Sequence, residues 1–235
     1  MSAWPDHVFP HGELTSLDTR LWTVTGSLKH GHMPRNMVIY KLEDGELLLH
    51  SAIALEEPAM AELEELGKPK ILLVPNPMHR LDSVVYKERY PEITVICPSA
   101  ARKKVSEKVE VDATCEELLP TMGIKVHEIA GVNPIELCYE VKLAAGGKAL
   151  VFTDALMNMP HLPGFDGWLM KLIGTTGSFG MTKVGKLLLL KEKAAFKNWL
   201  LERAADSELR AILIAHGASV TENCSAQLKA AAERL

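Results

Sequence analysis

A strand that ends abruptly in a polar loop is the feature that most constrains this fold. Residues 71–74 are four consecutive apolar residues, and the Pro-Asn-Pro of residues 75–77 breaks the run. His79, Arg80 and Asp82 follow, just before a segment with helix-forming character. Loop groups at strand ends converge on a rigid support in open α/β sheets, so this pattern predicts a ligand-bearing loop after a buried strand.

Alternating strand and helix signals run through the remainder of the 235 residues. An Asp-Gly pair at residues 44–45 predicts a hairpin of residues 37–42 and 47–50. Other strands are predicted at residues 21–25, 71–74, 93–97, 125–129, 136–142, 148–153 and 211–215. Helices are predicted at residues 56–66, 83–89, 100–104, 166–173, 185–203 and 222–233. This order indicates the α/β (α+β) class, with two sheets, helices outside them and a single domain over residues 1–235.

The composition is that of an ordinary globular protein and argues against nucleic-acid and membrane partners. The formal net charge is -4 and the basic residues form no stripe, so nucleic-acid binding has little electrostatic support. The apolar runs fall far short of the roughly 20 residues that a membrane helix needs. The first residues lack a signal-peptide pattern and the four cysteines lack C-x-x-C spacing. We therefore expect reduced thiols in a cytoplasmic protein.

Three strand ends carry polar residues in a recognisable order. They are the loop at residues 75–82, Asp154 after one predicted strand, and His216 after the last one. In this order and context the chain resembles the metallo-β-lactamase superfamily. The residues 37–55 look like the opening hairpin of an uncharacterised branch with an eroded metal motif. The resemblance implies an αββα sandwich of two mixed sheets with helices outside, and metal ligands at these strand ends.

The first ligand motif of that superfamily is T-H-x-H-x-D-H, and this chain departs from it. Laid without a gap, its histidines and aspartate fall on residues of other types, namely Asn76, Met78, Arg80 and Leu81. With a one-residue slip, His79 takes the second histidine position and Asp82 the last. The slip is preferred because two donors three residues apart can share one side of a helix's first turn.

The later ligand positions match in part. Val132 stands where the superfamily has a histidine, so that ligand is lost. Asp154 matches the metal-bridging aspartate, and His216 matches the last histidine. The resemblance therefore implies the metal ligands His79, Asp82, Asp154 and His216 and at most one zinc or iron ion, since a binuclear site needs more donors.

Several candidates also have other interpretations. Asp82 precedes a helical segment, where an aspartate commonly caps backbone N–H groups. Arg80 would repel a metal ion, but it would attract a carboxylate or a phosphate, or it could pair with Asp154. Asn76 and Arg80 are therefore candidate pocket or anion-binding residues, together with the loop at residues 30–35.

Two functional hypotheses follow from these residues. The first is a hydrolase-like protein of unknown substrate whose degenerate site holds at most one metal ion, which leaves its status as an enzyme uncertain. The alternative is a metal-free pseudoenzyme or a binding module for a small anionic ligand. Both imply a small-molecule ligand or substrate as the partner. A third alternative, a homo-oligomer, is favoured by nothing specific in the sequence; an exposed apolar insertion that buries more than roughly 1,000 Å² against a second copy would support it.

Overall fold

A mixed seven-stranded sheet organises the first of two compact units. The computed structural model describes residues 3–28, 33–161, 164–172 and 174–235, and the first unit comprises residues 1–124 and 143–145. Its strands, in chain order and in spatial order, are β1 (Thr15–Asp18), β2 (Leu21–Gly26), β3 (Arg35–Lys41), β4 (Leu47–His50), β5 (Pro69–Leu73), β6 (Thr94–Cys97) and β7 (Ala113–Thr114). Its helices are α1 (Trp4–His7), α2 (Glu57–Leu66), α3 (Ser83–Arg89), α4 (Arg102–Val105) and α5 (Cys115–Leu118).

The direction of pairing in this sheet changes at β4. Strands β1 to β4 are antiparallel neighbours, and β4 to β7 are parallel neighbours. The predicted β3–β4 hairpin is confirmed, and Gly45 in its turn has a φ of +87°, a left-handed conformation that suits glycine. His50 pairs with Leu73 in the parallel β4–β5 register. The chain after β4 and the chain after β5 therefore leave the sheet at the same edge.

A mixed four-stranded sheet organises the second unit, residues 125–142 and 146–235. Its strands are β8 (Lys125–Glu128), β9 (Leu137–Lys142), β10 (Lys148–Phe152) and β11 (Leu209–Ile214), in the spatial order β11-β10-β9-β8. Its helices are α6 (Gly164–Leu172), α7 (Lys183–Leu188), α8 (Lys193–Ala204) and α9 (Cys224–Glu233). Strands β10 and β11 are parallel, whereas β8, β9 and β10 are antiparallel neighbours.

Helix α8 fixes the strand that leads to Asp154. Its residues Phe196, Trp199 and Leu200 are buried in one hydrophobic cluster with Phe152, the last residue of β10. The rings of Phe152 and Trp199 meet edge to face, with centroids 6.0 Å apart. The end of β10 is thereby held rigidly by aromatic packing.

The predicted single helix at residues 185–203 is wrong, because the structure has two helices there. Between α7 and α8, the N–H groups of residues 191 and 192 donate to the carbonyl of Gly131 at 2.8 and 2.9 Å. These bonds to a loop replace the bonds that would continue the helix. Apolar spacing alone does not reveal such a break, since it reports burial on one face and not backbone continuity. Strand β1 is a second feature that the sequence analysis did not predict.

Three simpler sequence predictions, on helix α3, on the cysteines and on membrane-spanning helices, agree with the structure. Helix α3 covers the predicted residues 83–89, and the four cysteines are buried thiols rather than disulfides. Burial raises the pKa of the Cys97 thiol to about 11. In the described ranges, no helix has both the length and the hydrophobicity that crossing a membrane demands.

Candidate metal centre

The loop after β5 turns His79 toward the protein interior. The Oδ1 of Asn76 accepts hydrogen bonds from the N–H groups of Met78 (2.8 Å) and His79 (3.2 Å). These bonds make a side-chain turn at residues 76–79, and Asn76 lies between the two prolines. His79 is consequently buried, while the Met78 side chain is 73% exposed. Asn76, which was predicted to line a pocket, shapes the loop that presents His79.

Ser51 holds the ring of His79 and was not identified from the sequence. It is the first residue after β4, and its N–H donates to the carbonyl of Leu73 at 3.1 Å. Its Oγ is hydrogen-bonded to Nδ1 of His79 at 2.7 Å. Its φ of +56° is unusual for a residue with a side chain, and such strain is typically found at functional positions. With Nδ1 engaged in this way, Nε2 is the ring nitrogen suited to bind a metal.

Asp82 is fully buried and forms an ion pair. Its carboxylate accepts hydrogen bonds from Arg35 and from the N–H of Ala54 (3.2 Å), and it contacts Nδ1 of His7 at 2.9 Å. The interpretation of Asp82 as a side-chain cap is wrong. It does occupy the position before α3, but its side chain makes no capping hydrogen bond. The carboxylate instead compensates the charge of Arg35, which is also buried.

Arg80 has an acidic partner within its own unit. Its guanidinium donates to the carbonyl of Lys104 and contacts the carboxylate of Glu107 at 3.3 Å. Hydrogen bonds from Lys104 and Arg80 lower the pKa of Glu107. The charge of Arg80 is therefore compensated without the pairing with Asp154 that was one of the sequence hypotheses. The loop at residues 30–35 was predicted to bind an anion together with Arg80, and its residues 30–32 lie outside the described part of the chain.

The second unit brings Asp154 and His216 together. Phe152 pairs with Ile214 in the parallel β10–β11 register, so both residues lie two positions beyond paired strand ends. Both are buried, and Nε2 of His216 lies 3.1 Å from Oδ1 of Asp154. The resemblance implied this proximity, and the parallel pairing accounts for it, because the carboxyl ends of parallel strands meet at one edge.

Glu136 positions Asp154 and is another residue that sequence reasoning missed. Its buried carboxylate accepts hydrogen bonds from the backbone N–H groups of Asp154 (3.0 Å) and Ala155 (3.3 Å). These donors would otherwise lack a strand partner just beyond β10. A glutamate that opens a β-strand gives no signal in the sequence that it serves the end of another strand.

The backbone contact at Gly217 explains why a glycine follows His216. Its φ is +99°, and a Cβ at this position would lie 2.2 Å from the carbonyl oxygen of Asn158. The N–H of Asn158 donates to the carbonyl of His216 at 3.0 Å. The close approach of these two chain segments thus requires glycine and fixes the backbone that carries His216.

Val132, at the lost histidine position, is part of the core. Its side chain is buried in the same cluster as Phe152 and Leu200. An apolar side chain at this place supplies packing and no donor atom, so the position cannot serve a metal.

The fold of this chain is similar to that of several solved structures. No protein-family model matches the sequence, and no curated protein sequence matches it either. Solved structures do match. The metallo-β-lactamase FIM-1 from Pseudomonas aeruginosa, in its mono-zinc form, aligns with a TM-score of 0.61 at 13% identity, covering 97% of each chain. The metallo-β-lactamase DIM-1 gives a TM-score of 0.62 at 12% identity, covering 96% of this chain and 99% of its own.

A third solved structure agrees with the first two. The metallo-β-lactamase from Erythrobacter litoralis gives a TM-score of 0.61 at 14% identity, covering 94% of this chain and 96% of its own. This chain has a metallo-β-lactamase-like fold. Its mixed sheets of seven and four strands, with their helices, fit the αββα sandwich that the resemblance implied. Identities this low establish the metallo-β-lactamase-like fold and leave the chemistry to the residues of this chain.

Proposed function

We propose that this protein is hydrolase-like and binds one divalent metal ion through His79, Asp154 and His216. The observation that carries the proposal is the buried pair of Asp154 and His216, with donor atoms 3.1 Å apart at neighbouring strand ends. We propose His79, a buried histidine of the first unit, as the third ligand, in line with the ligand order that the resemblance implied. Two imidazoles and one carboxylate suit zinc or iron, and three protein ligands leave a coordination position open.

The residues around these ligands fit a metal. Ser51 engages Nδ1 of His79, which orients the ring and fixes which nitrogen faces an ion. Glu136 holds the backbone of Asp154, so the carboxylate is presented by a rigid strand end. When bound, zinc or iron lowers the pKa of a coordinated water and polarises a carbonyl or phosphoryl group. The residues of this chain orient that ion and exclude bulk water, because all three ligands are buried.

Asp82 is left out of the proposed ligand set. Its carboxylate is engaged by Arg35, His7 and the N–H of Ala54. Withdrawing it to bind a metal would leave the Arg35 charge buried and uncompensated, which is costly. We propose that Asp82 instead compensates the buried charge of Arg35. We also propose that the protein is cytoplasmic and keeps its cysteines reduced.

Metal analysis of the purified chain tests the proposal. After dialysis against zinc or ferrous iron and removal of excess, we expect about one ion per chain by mass spectrometry, in line with a three-ligand site. His216→Ala and Asp154→Asn should each lose the ion, whereas the control Asp82→Asn should retain it. Wild-type protein without stoichiometric metal would overturn the proposal.

A cavity beside Arg80 favours a second candidate function, the binding of a small organic anion. The cavity has a volume of about 440 Å³ and lies in the first unit, lined by His7, Pro77, Met78, Arg80, Leu81, Val84 and Lys108. Lys108 and Arg80, whose guanidinium also contacts Glu107, place two basic side chains beside apolar ones, which suits a carboxylate or phosphate that carries an apolar group. In a thermal-shift screen, phosphates or carboxylates that bind should then raise the melting temperature of the wild type but not that of Arg80→Ala. Equal shifts in both proteins would rule this function out.

A further inference from the structure

An exposed apolar surface covers two neighbouring helices of the second unit. We call it the α6–α7 surface, and it consists of Trp168, Leu169, Leu172, Val184, Leu187 and Leu188. The side chain of Leu187 is 82% exposed, that of Leu188 63% and that of Leu172 60%. Scattered exposed leucines need no explanation, but six large apolar side chains within 21 residues form a patch of the kind that marks an interaction site.

The apolar faces of α6 and α7 point away from the core. In α7, Val184, Leu187 and Leu188 have the i, i+3, i+4 spacing of one helix face, and all three are exposed. Gly185, on another side of the same helix, is buried. A helix that only needed to pack on its sheet would have the reverse arrangement, so the exposed face requires a partner outside the unit.

A hydrogen-bonded turn brings the two helices together. The N–H of Lys183, the first residue of α7, donates to the carbonyl of Gly174 at 3.2 Å. The N–H of Gly174 donates in turn to the carbonyl of Lys171 in α6 at 3.0 Å. The last turn of α6 and the first turn of α7 are therefore adjacent, and their exposed leucines belong to one surface.

Basic residues lie within or close in sequence to these two helices, in an otherwise acidic protein. Residues 164–193 contain five lysines and two acidic residues, whereas the whole chain has a formal net charge of -4. Lys171, Lys183, Lys191 and Lys193 are exposed. The fifth, Lys186, donates from its Nζ to the carbonyl of Arg234 at 2.6 Å, so it also ties α7 to the end of the chain.

We propose that the α6–α7 surface binds the surface of a membrane that contains anionic lipids. Exposed leucines and a tryptophan flanked by lysines are the two features that peripheral helices combine, since the apolar side chains enter the headgroup region and the lysines attract lipid charge. A second copy of this chain fits less well. In a symmetric pair the same basic patch would face itself, and like charges would repel.

The proposal concerns peripheral binding and does not require a membrane-spanning segment. The expectation of no membrane partner came from the lack of a long apolar run in the sequence. Such a run is needed for a spanning helix and not for binding at the membrane surface. The α6–α7 surface is also separate from the proposed metal ligands in sequence and can be tested without any metal.

Vesicle co-sedimentation of the full-length protein tests this surface. The probes are vesicles of phosphatidylcholine alone and vesicles that also contain phosphatidylserine, each at low salt and at about 0.5 M salt, where charges are strongly screened. The double variants Leu172→Glu/Leu187→Glu and Lys171→Glu/Lys183→Glu remove the apolar and basic features respectively. Leu201→Glu and Lys103→Glu change an exposed leucine and an exposed lysine elsewhere and serve as matched controls.

We expect wild-type protein to sediment with the phosphatidylserine vesicles at low salt and to remain in solution with phosphatidylcholine alone. Each double variant should lower the partition coefficient by at least about tenfold, because one removes leucines that enter the headgroup region and the other removes lysines that attract anionic lipid. Both controls should behave like wild type. Absence of binding to the phosphatidylserine vesicles would overturn the proposal. So would a wild-type dimer in sedimentation velocity that Leu172→Glu/Leu187→Glu converts to a monomer, because a second copy would then cover this surface.

Discussion

The Oγ of Ser51 lies 2.7 Å from Nδ1 of His79, and Ser51 makes this contact from a left-handed backbone conformation with φ of +56°. A serine pays an energetic cost for that conformation, which glycine would avoid. The position therefore retains a hydroxyl where the backbone alone would favour glycine. The hydroxyl decides which nitrogen of His79 is available to a metal ion.

Replacing Ser51 should weaken metal binding. We expect Ser51→Ala to lower zinc affinity by about 10- to 100-fold, the usual effect of losing a group that supports a ligand. Ser51→Gly relieves the backbone and also removes the hydroxyl, so it should lose a similar amount. Competition with a chromophoric chelator measures both affinities. Wild-type affinity in Ser51→Gly would contradict the role of the hydroxyl.

Replacing Gly217 should disturb the backbone of His216. Gly217→Ala places a Cβ against the carbonyl of Asn158, whereas Gly146→Ala, at a similar φ of +89°, meets nothing within 4 Å. The control should cost about 1–2 kcal/mol of unfolding free energy from its left-handed backbone. Gly217→Ala should cost about 1–3 kcal/mol more, because the clash adds to that strain. Urea unfolding distinguishes the two, and equal losses would show that the contact with Asn158 is unimportant.

Removing the Glu136 carboxylate should destabilise the end of β10. Glu136→Ala leaves the buried N–H groups of Asp154 and Ala155 without this acceptor, which should lower the unfolding free energy by about 2–6 kcal/mol. The control Glu128→Ala, at an exposed position of β8, should change it by less than about 0.5 kcal/mol. Chemical denaturation of both variants provides the comparison. A loss in Glu136→Ala no larger than that of the control would refute this anchoring role.

Neutralising Asp82 should separate stability from metal binding. Asp82→Asn leaves the Arg35 charge buried without its partner, so the unfolding free energy should fall by about 3–5 kcal/mol. Asp44→Asn, in an exposed pair with Lys70, should lose less than about 1 kcal/mol. Zinc affinity should be unchanged in Asp82→Asn under native conditions. Its loss there would restore Asp82 to the ligand set.

The pH dependence of stability should include a contribution from His127. Burial lowers the pKa of His127, although its hydrogen bond to Glu140 acts in the opposite direction. The unfolded chain therefore binds a proton more readily, and stability should fall as the pH decreases from about 6.5 through the folded pKa. The fall should be shallower in His127→Gln, and exposed His161→Gln is the control. Parallel pH profiles for wild type and His127→Gln would contradict this assignment.

The sequence predicts the scaffold better than it predicts the site. The Asp44-Gly45 hairpin and the strand before Pro75 follow from local chemistry, which periodicity and turn residues report directly. The break between α7 and α8 depends on hydrogen bonds to Gly131, a tertiary effect that apolar spacing does not encode. Asp154 and His216 became ligand candidates through the resemblance to the metallo-β-lactamase superfamily, which has ligands at these strand ends.

The supporting residues could not be found in that way. Ser51 and Glu136 act on groups 28 and 18 residues away along the chain, and neither lies in a motif. Asp82 was a candidate ligand because the slipped superfamily motif places it at the last ligand position, and a candidate cap because it precedes a helix. Its actual partner, Arg35, comes from the start of β3, and only the folded sheet brings the two together.

Anomalous diffraction at the zinc or iron absorption edge, from crystals of the metal-loaded protein, locates the bound ion. We expect one strong peak per chain at about 2.0–2.2 Å from Nε2 of His79, a carboxylate oxygen of Asp154 and Nε2 of His216. We also expect Asp82 to remain paired with Arg35 in those crystals. A peak at another position, two peaks per chain, or a chain that takes up no metal would refute the proposed three-ligand site.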